Sequence, residues 1–101
     1  MIDFGLREEV LAMVKGVLSE NEKITRAVIF GSRAKGEHRK YSDVDICLYG
    51  DLSFGDVAKV KEALDEADII YEFDVVAYDV VKSEALREHI DRVGVEVYGR
   101  E

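Results

Sequence analysis

The chain has 101 residues, a formal net charge of −8, 48% hydrophobic and 36% charged residues, which suits a globular protein with one domain over 1–101. No apolar run nears the ~20 residues of a membrane span and no export signal follows Met1, so the expected compartment is the cytoplasm. One cysteine and two histidines speak against a disulfide framework or a zinc site, and the acidic balance speaks against a nucleic-acid or membrane binder. Such a balance suits a basic protein partner.

In chain order, residues 5–20 set Leu6, Val10, Val14, Val17 and Leu18 at helical spacing between charges, which predicts an amphipathic helix. Arg26 to Phe30 is short, apolar and β-branched, and reads as a strand ending at Gly31. Val44 to Tyr49 predicts a second strand, stopped by Gly50-Asp51. Ser53 to Asp56 has the form of a capping box, and Val57, Val60, Leu64 and Ala67 extend it as a helix. Ile69 to Tyr78 predicts a third strand. Ser83 can cap a last helix with Leu86, Ile90 and Val93 on one face and Gly94 as its stop. The tail Val95–Gly99 can add a short edge strand. Helices alternating with strands imply an α/β fold: a small mixed β-sheet with flanking helices.

Charge is unevenly placed. Arg33, Lys35, Arg39 and Lys40 lie within eight residues and only Glu37 opposes them, so this segment is +3 in a −8 chain. It can be a solvated loop or an anion site. Gly31-Ser32 comes between the first strand and that segment. A glycine there permits close backbone approach, and Ser32 with successive amides can hold phosphate oxygens, although such a pair is also an ordinary turn. Asp43 and Asp45 flank Val44 at the start of the second strand, so both project from one face. Two like charges ~4 Å apart repel by roughly 4 kcal/mol at an effective dielectric of about 20. Either one protonates, a cation sits between them, or the strand end is simply solvated. Asp74 stands inside the apolar third strand. If that strand pairs beside the second, Asp74 joins the two acids, with Glu72 as the alternative third carboxylate.

Together these residues give Gly31-Ser32, ten residues, then Asp43-Val44-Asp45, and later a strand carrying Asp74. This GSx10DxD pattern resembles the signature of the nucleotidyltransferase superfamily related to DNA polymerase beta. The stretch GSRAKGEHRKYSDVDICLY is similar to the minimal nucleotidyltransferases of bacteria and archaea, usually encoded beside a HEPN-domain partner and in some cases antitoxins. The resemblance implies a nucleotidyltransferase fold, with Gly31, Ser32 and Arg33 on the nucleotide phosphates. It implies that Asp43, Asp45 and Asp74 hold Mg²⁺, two ions in all, and that Asp74 helps deprotonate the attacking hydroxyl. Lys40 could also neutralise the triphosphate.

In such antitoxins the implied reaction moves AMP from ATP onto a tyrosine hydroxyl of a HEPN-family toxin. The expected partners are therefore that toxin and ATP, with no direct nucleic-acid or membrane contact, and a homo- or hetero-oligomer is possible. A chain of this length leaves the acceptor to be supplied by another molecule or a second copy. Two other readings are a non-catalytic antitoxin acting by occlusion and a small-molecule nucleotidyltransferase. Cys47 reads as core packing, His38 as a surface residue of the basic segment, and His89 as a helix-surface residue.

Overall fold

Three buried valine and leucine side chains, Val10, Val14 and Leu18, recur every four residues and make one apolar stripe along helix α1 (Glu8–Ser19). In the computed structural model, residues 8–31, 43–67 and 71–99 are described. Past α1, the Asn21 side chain accepts from the Lys23 amide at 2.9 Å and turns the chain into the buried Ile24. Strands β1 (Arg26–Phe30) and β2 (Val44–Tyr49) pair antiparallel, from Arg26 opposite Tyr49 to Phe30 opposite Asp45. Both match their predicted bounds.

Helix α2 (Phe54–Ala67) starts from the predicted capping box. The Asp56 amide donates to Ser53 Oγ at 3.1 Å, and the Ser53 amide donates back to Asp56 Oδ2 at 2.9 Å. Strand β3 (Phe73–Ala77) runs parallel to β2, with Val44 opposite Phe73 and Asp45 opposite Asp74. Of the predicted 69–78, residues 69 and 70 lie outside the described residues, and 71, 72 and 78 fall outside the strand. Pairing begins only where β2 begins, at Val44, and Tyr78 already opens a 3₁₀ turn (Tyr78–Val80). Ser83 then caps helix α3 (Glu84–Val93), accepting from the Leu86 amide at 3.2 Å, and Gly94 closes it. Strand β4 (Val95–Gly99) pairs antiparallel with β1 at the far edge, giving the order β3-β2-β1-β4.

Alternation along the strands divides the core. Ala27, Ile29, Val44, Ile46, Leu48 and Phe73 face α1 and α2, whereas Val28, Phe30 and Cys47 face Ile90 of α3. Each fully buried large apolar side chain contributes about 1.5–3 kcal/mol. The first cluster has three strands and two helices to fill it. Among the described residues, the second is filled by one short helix, which packs on Val28, Phe30 and Cys47. Among the described residues, no helix is long and apolar enough to cross a membrane.

Candidate active site

The acids lie on the α3 side of the sheet, beyond the part that Ile90 covers. Period two along β2 sets Asp43, Asp45, Cys47 and Tyr49 on the α3 side, and along β3 it sets Asp74, Val76 and Tyr78 there. Parallel register makes Asp45 and Asp74 direct neighbours. Asp43 and Asp74 are exposed and Asp45 is half-buried. Burial, followed by the charges of Asp74 and Asp43, pushes the Asp45 carboxyl from 3.8 up to about 6.

Gly31 closes the site from the β1 side. Its φ of +78° is the left-handed conformation that glycine adopts without penalty. A Cβ built there would run into the Asp45 carboxylate oxygen, so the missing side chain is the space that Asp45 occupies. Sequence spacing alone offered Gly31 as a turn or a phosphate cradle. The contact with Asp45 adds a second requirement for glycine.

Four predicted residues are thus brought to one end of the sheet: Gly31, Asp43, Asp45 and Asp74. Ser32, Arg33, His38 and Lys40 lie outside the described residues. Glu72 precedes β3 and is exposed; its backbone carbonyl accepts from the Val44 amide at 2.8 Å. Its charge is not among the causes of the Asp45 shift, which names Asp74 as the neighbour that matters.

Hard carboxylate oxygens fit a hard divalent cation. An Asp45 carboxyl pushed up by burial, and then by two anionic neighbours, fits a site that takes positive charge. Among the described residues, no three His, Cys, Asp or Glu side chains form a set that could by itself hold a metal ion. Mg²⁺ sites commonly use one or two carboxylates and complete the shell with water and substrate phosphates.

Farther along the same face the chemistry is closed. Burial pushes the Cys47 thiol up to about 12, consistent with core packing. Tyr49 and Tyr78 stack with centroids 4.9 Å apart and planes 22° apart, and the Arg26 guanidinium lies 4.9 Å from the Tyr49 ring centre. Tyr78 donates to Asp91 at 2.9 Å, a bond that raises its phenol pKa. Sequence reading missed this pair; the signal was the four-residue offset that carries both strands from Asp to Tyr, Asp45 to Tyr49 and Asp74 to Tyr78. His89, expected on the helix surface, is half-buried and packs edge-on against Phe30 at 6.2 Å. It lies one residue before the core-facing Ile90, close enough to the buried stripe to meet the end of β1.

Comparison with known proteins agrees with the class this sheet and its acids suggest. The family model "Polymerase beta, Nucleotidyltransferase" matches residues 13–101. The chain belongs to this nucleotidyltransferase family. Within it, the chain is 34% identical over 98 residues to the "Probable protein adenylyltransferase MntA" of Haemophilus influenzae, covering 95% of this chain and 85% of that relative. Two solved structures share the fold. One, a toxin–antitoxin with AMP-PNP, superposes with a TM-score of 0.75 at 22% identity, covering 95% of this chain and 76% of that chain. The other holds a tri-AMPylated Shewanella oneidensis HEPN toxin with its MNT antitoxin, with a TM-score of 0.72 at 17% identity over 94% and 74% of the two chains.

Proposed function

We propose that this protein is a cytoplasmic, Mg²⁺-dependent adenylyltransferase that moves AMP from ATP onto a tyrosine hydroxyl of a HEPN-family partner and so acts as its antitoxin. The observation that carries the reading is the Asp45–Asp74 pairing beside Gly31, where a half-buried carboxyl is crowded by two other acids. The names of the relatives supply the donor and acceptor classes.

Asp43 and Asp45, with Asp74, would hold Mg²⁺, which when bound supplies positive charge against the nucleotide phosphates. Gly31 keeps the floor beside Asp45 free of a side chain, so the backbone can approach those phosphates, with Ser32 and Arg33 following it in sequence. Asp74, exposed at the edge strand, receives the proton of the attacking hydroxyl. The acceptor oxygen bonds to the α-phosphorus, the bond to the bridging oxygen breaks, and pyrophosphate leaves. Most of the rate gain comes from positioning and charge stabilisation rather than from covalent chemistry by the protein.

The test is the intact mass of a HEPN-family partner protein, after incubation with the chain, Mg²⁺ and ATP. A gain of one or more AMP units, absent with Asp43→Asn, is the expected result. An unchanged mass in a complex that still forms would remove the transferase reading and leave occlusion.

A further inference from the structure

Two large hydrophobic side chains stand exposed among the described residues, Phe54 at 84% and Val80 at 47%. Both line the same groove, of about 360 Å³, together with Val57, Val75, Val76 and Leu86. Val75 and Val76 are successive strand residues and project to opposite faces of the sheet. A groove lined by both must straddle the edge of β3. It lies between the start of α2 and the turn that leads into α3.

The backbone there also has an outward side. Among the described residues, β3 is an edge strand bonded in the sheet to β2. The Glu72 carbonyl is turned to β2, where it accepts from Val44, so the alternate residues Phe73, Val75 and Ala77 turn their backbone groups outward. Lys61 confirms the direction: its Nζ donates to the Phe73 carbonyl at 2.7 Å and blunts that end of the edge. The Val75 amide and carbonyl and the Ala77 amide follow, directly above the groove.

An outward-facing strand edge over apolar pockets is the geometry of strand addition, in which main-chain bonds give affinity and side-chain pockets give specificity. We propose that β3 and the Phe54–Val80 groove dock an extended segment of the partner protein, apolar where it meets the groove. This rests on the protein acceptor proposed above. Asp74 adjoins Val75 on the same strand, so a segment laid along β3 runs from the groove to the carboxylates. The charged residue in the groove's lining is Lys82, which favours an acidic residue in the segment beside its apolar ones.

The test is amide hydrogen exchange of the full chain, free and with a HEPN-family partner protein, alongside affinity measurements with Phe54→Glu. That substitution is at an exposed first-turn position where an acid is favourable, so the fold tolerates it. The expected result is at least tenfold slower exchange at Val75 and Ala77 in the complex and at least tenfold weaker binding by Phe54→Glu. The melting shift given by Mg²⁺ and ATP should stay as in the parent. Unchanged exchange at both amides, or parental affinity in Phe54→Glu, overturns the proposal. So does the same protection in the concentrated chain alone with a dimer mass, which would assign the edge to a second copy. A partner that protects the edge yet gains no AMP supports this docking site while removing the transferase reading.

Discussion

Asp56 and Asp45 are both partly enclosed carboxylates, and the chain treats them in opposite ways. Asp56 sits at the corner between α1 and α2, where the Ser53 amide, Lys23 Nζ at 3.0 Å and Asn21 Nδ2 at 3.3 Å all donate to it. Those bonds, the backbone one first, hold its carboxyl well below the ordinary range. Asp45 has burial and two more acids for surroundings, and is pushed up to about 6. The first carboxylate is finished by the fold. The second is set among acids whose charge a bound cation would balance. Donors around an acid mark structure, and acids around an acid mark chemistry.

The strongest way to break this contrast is to neutralise Asp45. Asp45→Asn should lower adenylyl transfer on the order of 10³-fold or more, since it removes a charge that only the reaction needs. Single-turnover transfer to the partner protein at saturating ATP measures it, and a loss of only a few-fold would reduce Asp45 to a structural acid. Gly31→Ala attacks the same site through its floor. The new Cβ collides with the Asp45 carboxylate at a left-handed φ, so stability should drop by about 1–3 kcal/mol. Transfer should fall roughly 10²-fold, because small displacements near reacting groups cost that much. Denaturant melts and the same transfer assay would read both, and a fully active, equally stable variant would remove Gly31 from the site.

Much of this contrast was legible in the sequence. Ser53 and Asp56 at capping-box spacing declared themselves, because the rule they obey is local. Asp43 and Asp45 were found as a pair by strand periodicity alone. Asp74 needed a conditional, since its place depends on which strand β3 pairs with and in what direction, a non-local fact. The same ignorance carried β3 over residues 71 and 72: its apolar run is continuous, but its pairing starts where β2 starts. The β3-edge groove was hidden for a similar reason. Phe54 counts as one more hydrophobic residue until the 3₁₀ turn brings Val80 to its side.

Asp45→Asn sharpens the comparison a second way, through stability. Unfolded, Asp45 titrates near 3.8, and folded, near 6, so the native state binds the extra proton between those values. The stability that goes with that proton is complete below about pH 4 and lost as pH rises through about 6. In metal-free buffer the asparagine variant should therefore be the more stable protein above pH 6. The gain should be about 1 kcal/mol once solvent screening of a half-exposed carboxyl is allowed for, or a few degrees in Tm. Melts at pH 4 and pH 8 check it: the advantage should shrink toward the acid end, and a constant difference would mean the charge is not its source.

Ser53→Ala is the matching probe at the finished corner, and the effect there has the opposite sign. Ser53 Oγ takes the Asp56 amide at 3.1 Å and also donates to Asp56 Oδ2 at 3.0 Å. The alanine variant loses both, which should cost about 1 kcal/mol, the usual price of an N-cap. Transfer should not change, because α2 meets the sheet on the face away from the acids. Lys23 and the Ser53 amide remain on Asp56, so its carboxylate stays ionised and the loss should stay level from pH 4 to pH 8. A loss that grew with acidity would mean the hydroxyl, rather than those two donors, keeps Asp56 charged.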